Sequence, residues 1–215
     1  KQKTAYEIGV RLVGSEMCIR DREYNVRIYE RRGDMRKEKM SVGRSINLAL
    51  SDRGLLALEK VGLAEEIKKI SIPMHGRSIH NPDGSIAFQP YGKEGQYINS
   101  VSRGTLNMKL MDLAEQHGVQ IFFHEKCTTL DWEKDVLEFE NTSGVSIPSS
   151  KADLVFAADG AFSAARLQHQ LRHDKFNYQQ YYIDCGYKEL TIPATADGNF
   201  AMEVNALHIL SLIHI

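Results

Sequence analysis

Two acidic strand ends are the residues best placed to do chemistry. The segment "DLVFAADGAFSAAR" (153–166) is an apolar run that ends in Asp159-Gly160, with Ser163 and Arg166 at fixed spacing behind it. A near-continuous apolar run is the pattern of a central parallel strand covered on both faces. Open α/β sheets bind ligands at the carboxyl ends of such strands. Gly160 permits close backbone approach, and Ser163 can cap the helix that follows. An ordinary strand-to-helix turn fits the same residues equally well. Glu30 closes "YNVRIYE" (24–30), where an acid can accept hydrogen bonds from ribose hydroxyls. By itself Glu30 is a common solvated strand-end glutamate. No His–carboxylate or Cys–His constellation stands beside these groups, so no catalytic side chain is expected. His75, His80 and His124 share no metal-ligand spacing, so no metal site is expected. Trp132 is expected to pack in a meander.

These groups need elements to hold them. "YNVRIYE" alternates Tyr24, Val26 and Ile28 with polar residues, the period of a strand. "SDRGLLALEKVGLAEEIKKI" (51–70) is helical, with Ser51 as cap, Leu55, Leu58, Leu63 and Ile67 near one face and Gly62 as a break. Two short strands flank Asn81-Pro82-Asp83-Gly84, whose residue types make a turn, giving a β-hairpin. Ser102 precedes a second helix carrying Leu106, Leu110, Leu113 and Ala114, stopped by Gly118. "VQIFF" follows as a buried strand, then a β-meander turning at 133–135 and at Ser143-Gly144. "SAARLQHQL" is a short helix, and "QYYIDCGYKELTIP" (180–193) returns to strand. The order is α/β with β insertions, a nucleotide-binding layer interrupted by a second sheet.

The chain has 215 residues with 27 Lys/Arg against 28 Asp/Glu, net charge -1, and 42% hydrophobic residues. That balance excludes a basic nucleic-acid binder, and no apolar run reaches the length of a membrane span. With Cys18 set aside among the first 22 residues, Cys127 and Cys185 are too few and too distant for a disulfide framework or zinc site, and a reduced cytoplasm is the expected location.

The first residues invite comparison with a phosphate-binding turn and fail it. Gly9 and Gly14 are present, but Arg11 stands where a middle glycine is needed for backbone approach. "EMCIRDRE" is too charged for the helix such a turn opens, and "KQKTAYEI" carries Lys1, Lys3 and Glu7 where an apolar strand is expected. The ends are also related to each other. "MCIRDR" (17–22) back-translates to DNA whose reverse complement, read with its neighbouring bases, encodes "LSLIHI" (210–215). Residues 1–22 and 210–215 therefore resemble translated sequencing adapter and are set aside from the fold. Natural termini are then missing, and the sheet is expected to lack a central strand, leaving an edge unpaired.

Five blocks, "GRSINLALSDRGLLALEKVGL", "PMHGRSIHNPDG", "QPYGKEGQYINSVSRGTLN", "DLVFAADGAFSAAR" and "GYKELTIP…FAMEVNALHI", resemble the kynurenine 3-monooxygenase family of FAD-dependent aromatic hydroxylases, from about Tyr24 to Ile209. The resemblance implies that FAD is bound and NADPH is cosubstrate, with L-kynurenine and O2 as reactants and no membrane segment in this stretch. It implies that Arg77 and Tyr91 hold the substrate carboxylate, a guanidinium giving a bidentate grip and a phenol a directed hydrogen bond. Without the motif around them, Arg77 is an exposed strand arginine and Tyr91 a packing tyrosine. On the cofactor side it implies Glu30 at the ribose, Arg32 near the adenosine, Ala49 and Arg103 along the flavin, Cys127 at the adenine through its backbone, and Asp159 near the flavin ribose. Arg44 falls near the flavin as well. Another aromatic hydroxylase, or a non-catalytic module of the same fold, are the competing readings.

The expected architecture is thus an incomplete Rossmann-like FAD-binding domain with an inserted β-sheet substrate domain. FAD-binding parts are drawn at 23–72 and 102–170, a substrate-domain hairpin at 73–101 and truncated substrate-domain strands at 171–209. As written, the chain is expected to be an inactive fragment.

Overall fold

A computed structural model describes residues 3–8, 24–38, 47–93, 95–173, 175–186 and 192–210. The glycine-bearing stretch after residue 8, and Arg44, lie outside these residues. The chain divides into two compact units, one of residues 1–40 and 107–186, the other of residues 41–106 and 187–215. Residues 41–72, placed with the FAD-binding part on sequence, fall in the hairpin's unit; residues 171–186 fall in the other.

The first unit is built on a four-stranded sheet. Its strands are β1 (Lys3–Ile8), β2 (Tyr24–Glu30), β8 (Gln120–Phe123) and β12 (Leu154–Ala157), in the order β12-β1-β2-β8. All three pairings are parallel. Lys3–Ile8 therefore occupies the central place expected to be empty, joining Tyr24 through Tyr29 on one side and Leu154 through Ala157 on the other. Lysine and glutamate do not forbid a strand here, because Thr4, Tyr6 and Ile8 recur with a period of two and favour a pleated surface.

Two other expectations for this sheet are corrected. β12 lies at its edge, with Leu154 49% and Phe156 47% exposed, so the apolar run is not covered on both faces among the described residues. β8 is also an edge strand and only partly buried; Val119, just before it, is the buried residue. Periodicity reports what a strand could bury, and neighbouring elements decide what it does bury.

An antiparallel meander adjoins this sheet, formed by β9 (Lys126–Asp131), β10 (Val136–Glu140) and β11 (Ser146–Lys151). Its turns fall where the sequence puts them, with Asp135 at φ 54° and Gly144 at φ 76°. Tyr29 stacks on Phe122 at 5.0 Å and on Phe139 at 4.2 Å between ring centroids, in a core shared with Leu130, Leu137 and Ala165. Tyr29 also donates its hydroxyl to Ser150 Oγ at 3.1 Å, so the buried phenol is satisfied. Trp132 lies edge-on to His169 at 5.4 Å and is partly exposed. α3 (Arg103–Gln116) buries Leu110, Met111, Leu113 and Ala114.

The second unit carries two three-stranded sheets. One orders β3 (Asn47–Leu50), β7 (Ile98–Ser102) and β4 (Ile72–Met74) as β3-β7-β4. The helical stretch between β3 and β4 divides at Gly62, φ 78°, into α1 (Asp52–Lys60) and α2 (Ala64–Lys68), burying Leu58, Leu63 and Ile67. Ser51 stands at the cap position, yet its side chain makes no capping hydrogen bond. The other sheet is the hairpin β5 (Gly76–His80) and β6 (Ile86–Pro90), with β13 (Ala206–Leu210) added in parallel beside β5. The late strand is thus Ala206–Leu210. Residues 180–186, read as strand, are irregular, with Tyr181, Tyr182 and Ile183 exposed; β-favouring side chains do not make a strand without a partner to pair with. No helix of the described residues is long and apolar enough to cross a membrane.

Candidate functional site

The first candidate site forms in the sheet unit, where the strand order reverses. From β1 the sheet runs to β2 on one side and to β12 on the other, and such a switch point opens a crevice at the carboxyl ends of the strands. A cavity of about 320 Å³ lies there, lined by Tyr29, Glu30, Arg32, Glu125, Cys127 and Asp159 among others. Its volume is that of a small-molecule site. Four residues separated by up to 129 positions, Glu30, Arg32, Cys127 and Asp159, are brought together in it.

Each lining group is held by identifiable physics. Glu30 is 7% exposed, and its Oε1 accepts from the Arg32 backbone N–H and Nε, both at 2.9 Å, while Oε2 accepts from Arg32 Nη2 at 3.2 Å. Glu30 raises the pKa of Arg32 through that hydrogen bond. A carboxylate has about four acceptor positions, so Glu30 keeps one for a ligand hydroxyl, and the Arg32 side chain, 61% exposed, can swing away. Glu125 adds a carboxyl whose pKa burial raises.

Asp159 spends most of its carboxylate on the fold. Oδ1 accepts from Ser163 Oγ at 2.5 Å, and Oδ2 accepts from the Ala164 and Ala165 N–H groups at 2.7 and 3.3 Å. Ser163 Oγ in turn accepts from Arg166 N at 3.0 Å, so the two side chains together cap α4 (Ala164–Arg172). Arg166 donates to the carbonyl oxygens of Gly160 and Ala161, and Gly160 takes φ 86°, open to a close approach because no atom lies within 4 Å of where a Cβ would be. The pocket wall is thereby clamped to the helix start. Cys127 is buried and its thiol is pushed up to about 12, by burial first and by the Asp159 charge second. It stays protonated and serves as wall.

The second candidate site lies on one face of the hairpin sheet. Residues opposite each other on paired strands share a face, which here gives successive rows. His75 stands between Asn205 and Tyr91, through His75 N→Asn205 O at 2.9 Å and Tyr91 N→His75 O at 3.1 Å. Arg77 stands between Leu207 and Gln89, and Ile79 between Ile209 and Ala87. The Arg77 guanidinium lies over the Tyr91 ring, 5.4 Å from its centroid. No carboxylate pairs with Arg77 among the described residues. Gly76 lets β6 come this close, since a Cβ there would sit 2.6 Å from Phe88 Cζ and 2.9 Å from Pro90 Cα. Gly76 faces Pro90, whose missing N–H costs nothing on an edge strand.

The remaining residues singled out on sequence stand apart from that face. Ala49 is exposed on β3 opposite Ser100, and Arg103 opens α3 directly after β7. Histidine yields one pairing not foreseen: His80 Nε2 and His208 Nδ1 are 2.9 Å apart across β5 and β13. No group of three metal-binding side chains occurs among the described residues. Tyr29, Glu125 and Gln89 escaped notice; the adjacency of Tyr29 to Glu30 was the available signal for the first.

No family model matches the chain. Curated relatives do. A kynurenine 3-monooxygenase of Christiangramia forsetii is 43% identical over 97% of this chain and 47% of its own length. One of Myxococcus xanthus is 45% identical over 97% and 46%, and one of Anopheles gambiae 38% over 94% and 42%. These matches reach into residues 1–22; the adapter relation of those residues rests on encoding DNA, which protein comparison does not address. Solved structures are similar in fold. 2-Methyl-3-hydroxypyridine-5-carboxylic acid oxygenase superposes with TM-score 0.59 at 22% identity, over 79% of this chain and 42% of that one. The flavin-dependent monooxygenase PieE, in complex with FAD and substrate, superposes with TM-score 0.63 at 14% identity, over 78% and 32%. Over nearly its whole length the chain is homologous to kynurenine 3-monooxygenases, and it spans about half the length of the relatives it matches.

Proposed function

We propose that this chain is part of a flavin-dependent monooxygenase that hydroxylates L-kynurenine at ring position 3, using NADPH and O2. The observation that carries the reading is the convergence of Glu30, Arg32, Cys127 and Asp159 on one cavity at the sheet's switch point. These residues fit the adenosine half of FAD. Glu30 retains acceptor capacity for a ribose hydroxyl, Arg32 offers an exposed cation for the adenosine, and Gly160 leaves open space against the backbone. Bound there, the flavin supplies the redox and oxygen-activating chemistry that no side chain of this chain can supply.

The chain's own residues bind and orient. Arg77 presents a guanidinium with no carboxylate partner among the described residues, and Tyr91 presents its phenol beside it. Holding the amino-acid end of the substrate fixes where its ring lies, and positioning of that kind contributes up to about 7–11 kcal/mol to rate. Ala49 and Arg103 are assigned to flavin binding by the family resemblance alone. The substrate's ring amino group already activates the position to be hydroxylated, so no strong protein base is required.

The test uses the full-length protein carrying this segment. NADPH consumption and product formation are compared on L-kynurenine and on a hydroxybenzoate. Stimulation and hydroxylation with L-kynurenine alone support the assignment. Preference for the hydroxybenzoate transfers the chain to another aromatic hydroxylase.

A further inference from the structure

The carboxylate grip assigned to Arg77 and Tyr91 leaves a question about the same face: what would distinguish an amino acid from a plain carboxylic acid? Gln89 lies directly across the β5–β6 pair from Arg77, and its side chain shares that face. Its amide has no hydrogen-bond partner among the described residues and is exposed. Tyr91, two residues on, belongs to the next row of the same face. A cation, a phenol and an amide thus meet at one end of the sheet face, none of them engaged in an ion pair or side-chain hydrogen bond among the described residues. Leu207, Ile79, Ala87 and Ile209 continue the face as an apolar floor.

Two other polar side chains stand in the neighbouring row rather than across from Arg77. Asn205 donates its amide N–H to the Pro73 carbonyl oxygen at 2.8 Å. The His75 ring packs edge-on against Tyr97 at 5.7 Å. Arg77 has no acceptor and repels a second cation. An α-ammonium beside a carboxylate held by Arg77 needs a neutral or negative acceptor within one side-chain length, and Gln89, directly across from Arg77, offers its carbonyl oxygen.

We propose that Gln89 is a specificity-determining residue: its amide oxygen accepts a hydrogen bond from the α-ammonium of the amino acid whose carboxylate Arg77 and Tyr91 hold. The inference rests on the substrate reading above and deepens it. A hydrogen bond to a charged group is worth about tenfold or more in affinity. The geometry also sets a direction, because the ammonium is read from β6 while the carboxylate is read mainly from β5.

The experiment is an NMR titration of the full chain, which registers millimolar binding, with three ligands: L-kynurenine, its analogue lacking the α-amino group, and its analogue lacking the carboxylate. Wild type is expected to bind L-kynurenine about tenfold tighter than the des-amino analogue. Gln89→Met keeps side-chain length and strand preference while removing the amide; it should abolish that preference and leave the des-amino affinity unchanged. Arg77→Ala should weaken L-kynurenine and the des-amino analogue together. If wild type shows the preference and Gln89→Met retains it, Gln89 does not read the ammonium, and the carboxylate assignment stands. If wild type binds none of the three, both readings fall. A Gln89→Met chain with altered amide shifts beyond β5 and β6 is replaced by Gln89→Leu, to which the same two outcomes apply.

Discussion

Gly76→Ala turns the close approach of β6 to β5 into a measurement. The new methyl carbon would lie 2.9 Å from Pro90 Cα and 2.6 Å from Phe88 Cζ, with the Gln89 carbonyl oxygen nearer still. Carbon–carbon contacts settle at about 3.5–4.0 Å, so the β6 backbone must retreat by about 0.6–1 Å. Phe88 can rotate, but the backbone atoms of Gln89 and Pro90 cannot. Overpacking of this kind costs about 1–3 kcal/mol in stability. The functional cost is sharper, because Gln89 rides on β6 and Tyr91 directly follows it, while Arg77 rides on β5. A misplacement near 1 Å between binding groups costs on the order of a hundredfold where geometry is strict; for binding alone about tenfold is expected. The assay is the L-kynurenine titration of wild type and Gly76→Ala, with urea unfolding recorded in parallel. Unchanged affinity together with unchanged Arg77 and Tyr91 resonances would refute the claim that these two strands jointly form the site.

Three other outcomes are expected. Asp34, 6% exposed, is held to about 2 from 3.8, foremost by the Arg36 guanidinium, which also bridges to Asp112 and Glu115 on α3. A depressed carboxyl contributes stability that is complete above about pH 4 and is lost as pH falls through about 2; the amount is about 2 kcal/mol, and urea unfolding of Asp34→Asn should show its loss at pH 7 and a flatter acid limb. Asp159→Ala removes the acceptors for the Ser163 hydroxyl and two α4 backbone N–H groups, so a loss of about 1–2 kcal/mol is expected, with weaker binding of an adenine nucleotide read by fluorescence competition. Iodoacetamide at pH 8 should label exposed Cys185 and spare Cys127, whose thiol stands near 12; peptide mass spectrometry decides.

Much of this was legible where local chemistry dictates local geometry. The residues Asn81-Pro82-Asp83-Gly84 force a hairpin, and Gly62 divides the helical stretch because it takes a positive φ. Glu30 ends its strand as its alternation indicates. What escaped depends on partners distant in sequence. β13 joins β5 across some 130 residues, and nothing in "ALHIL" names that partner. The exposure of β12 depends on what covers it, which periodicity does not report. The Arg36 latch lay in a charged loop that reads as solvated until α3 is placed beside it. For the sites, Glu30 and Asp159 were suggested by position at strand ends, whereas Arg77 and Tyr91 came only from family resemblance, since an arginine on a strand is chemically unremarkable until its neighbours are known.

The central claim is that the Arg77 guanidinium and the Tyr91 phenol, on one sheet face, hold the carboxylate end of an amino-acid substrate. The most direct test is the ratio of hydroxylated product to NADPH consumed by the full-length protein carrying this segment, with Arg77 intact and with Arg77→Ala. Loss of the anchor should leave NADPH oxidation running while the product ratio falls at least tenfold, the missing equivalents appearing as hydrogen peroxide. An unchanged ratio in Arg77→Ala, at saturating L-kynurenine, would contradict the account.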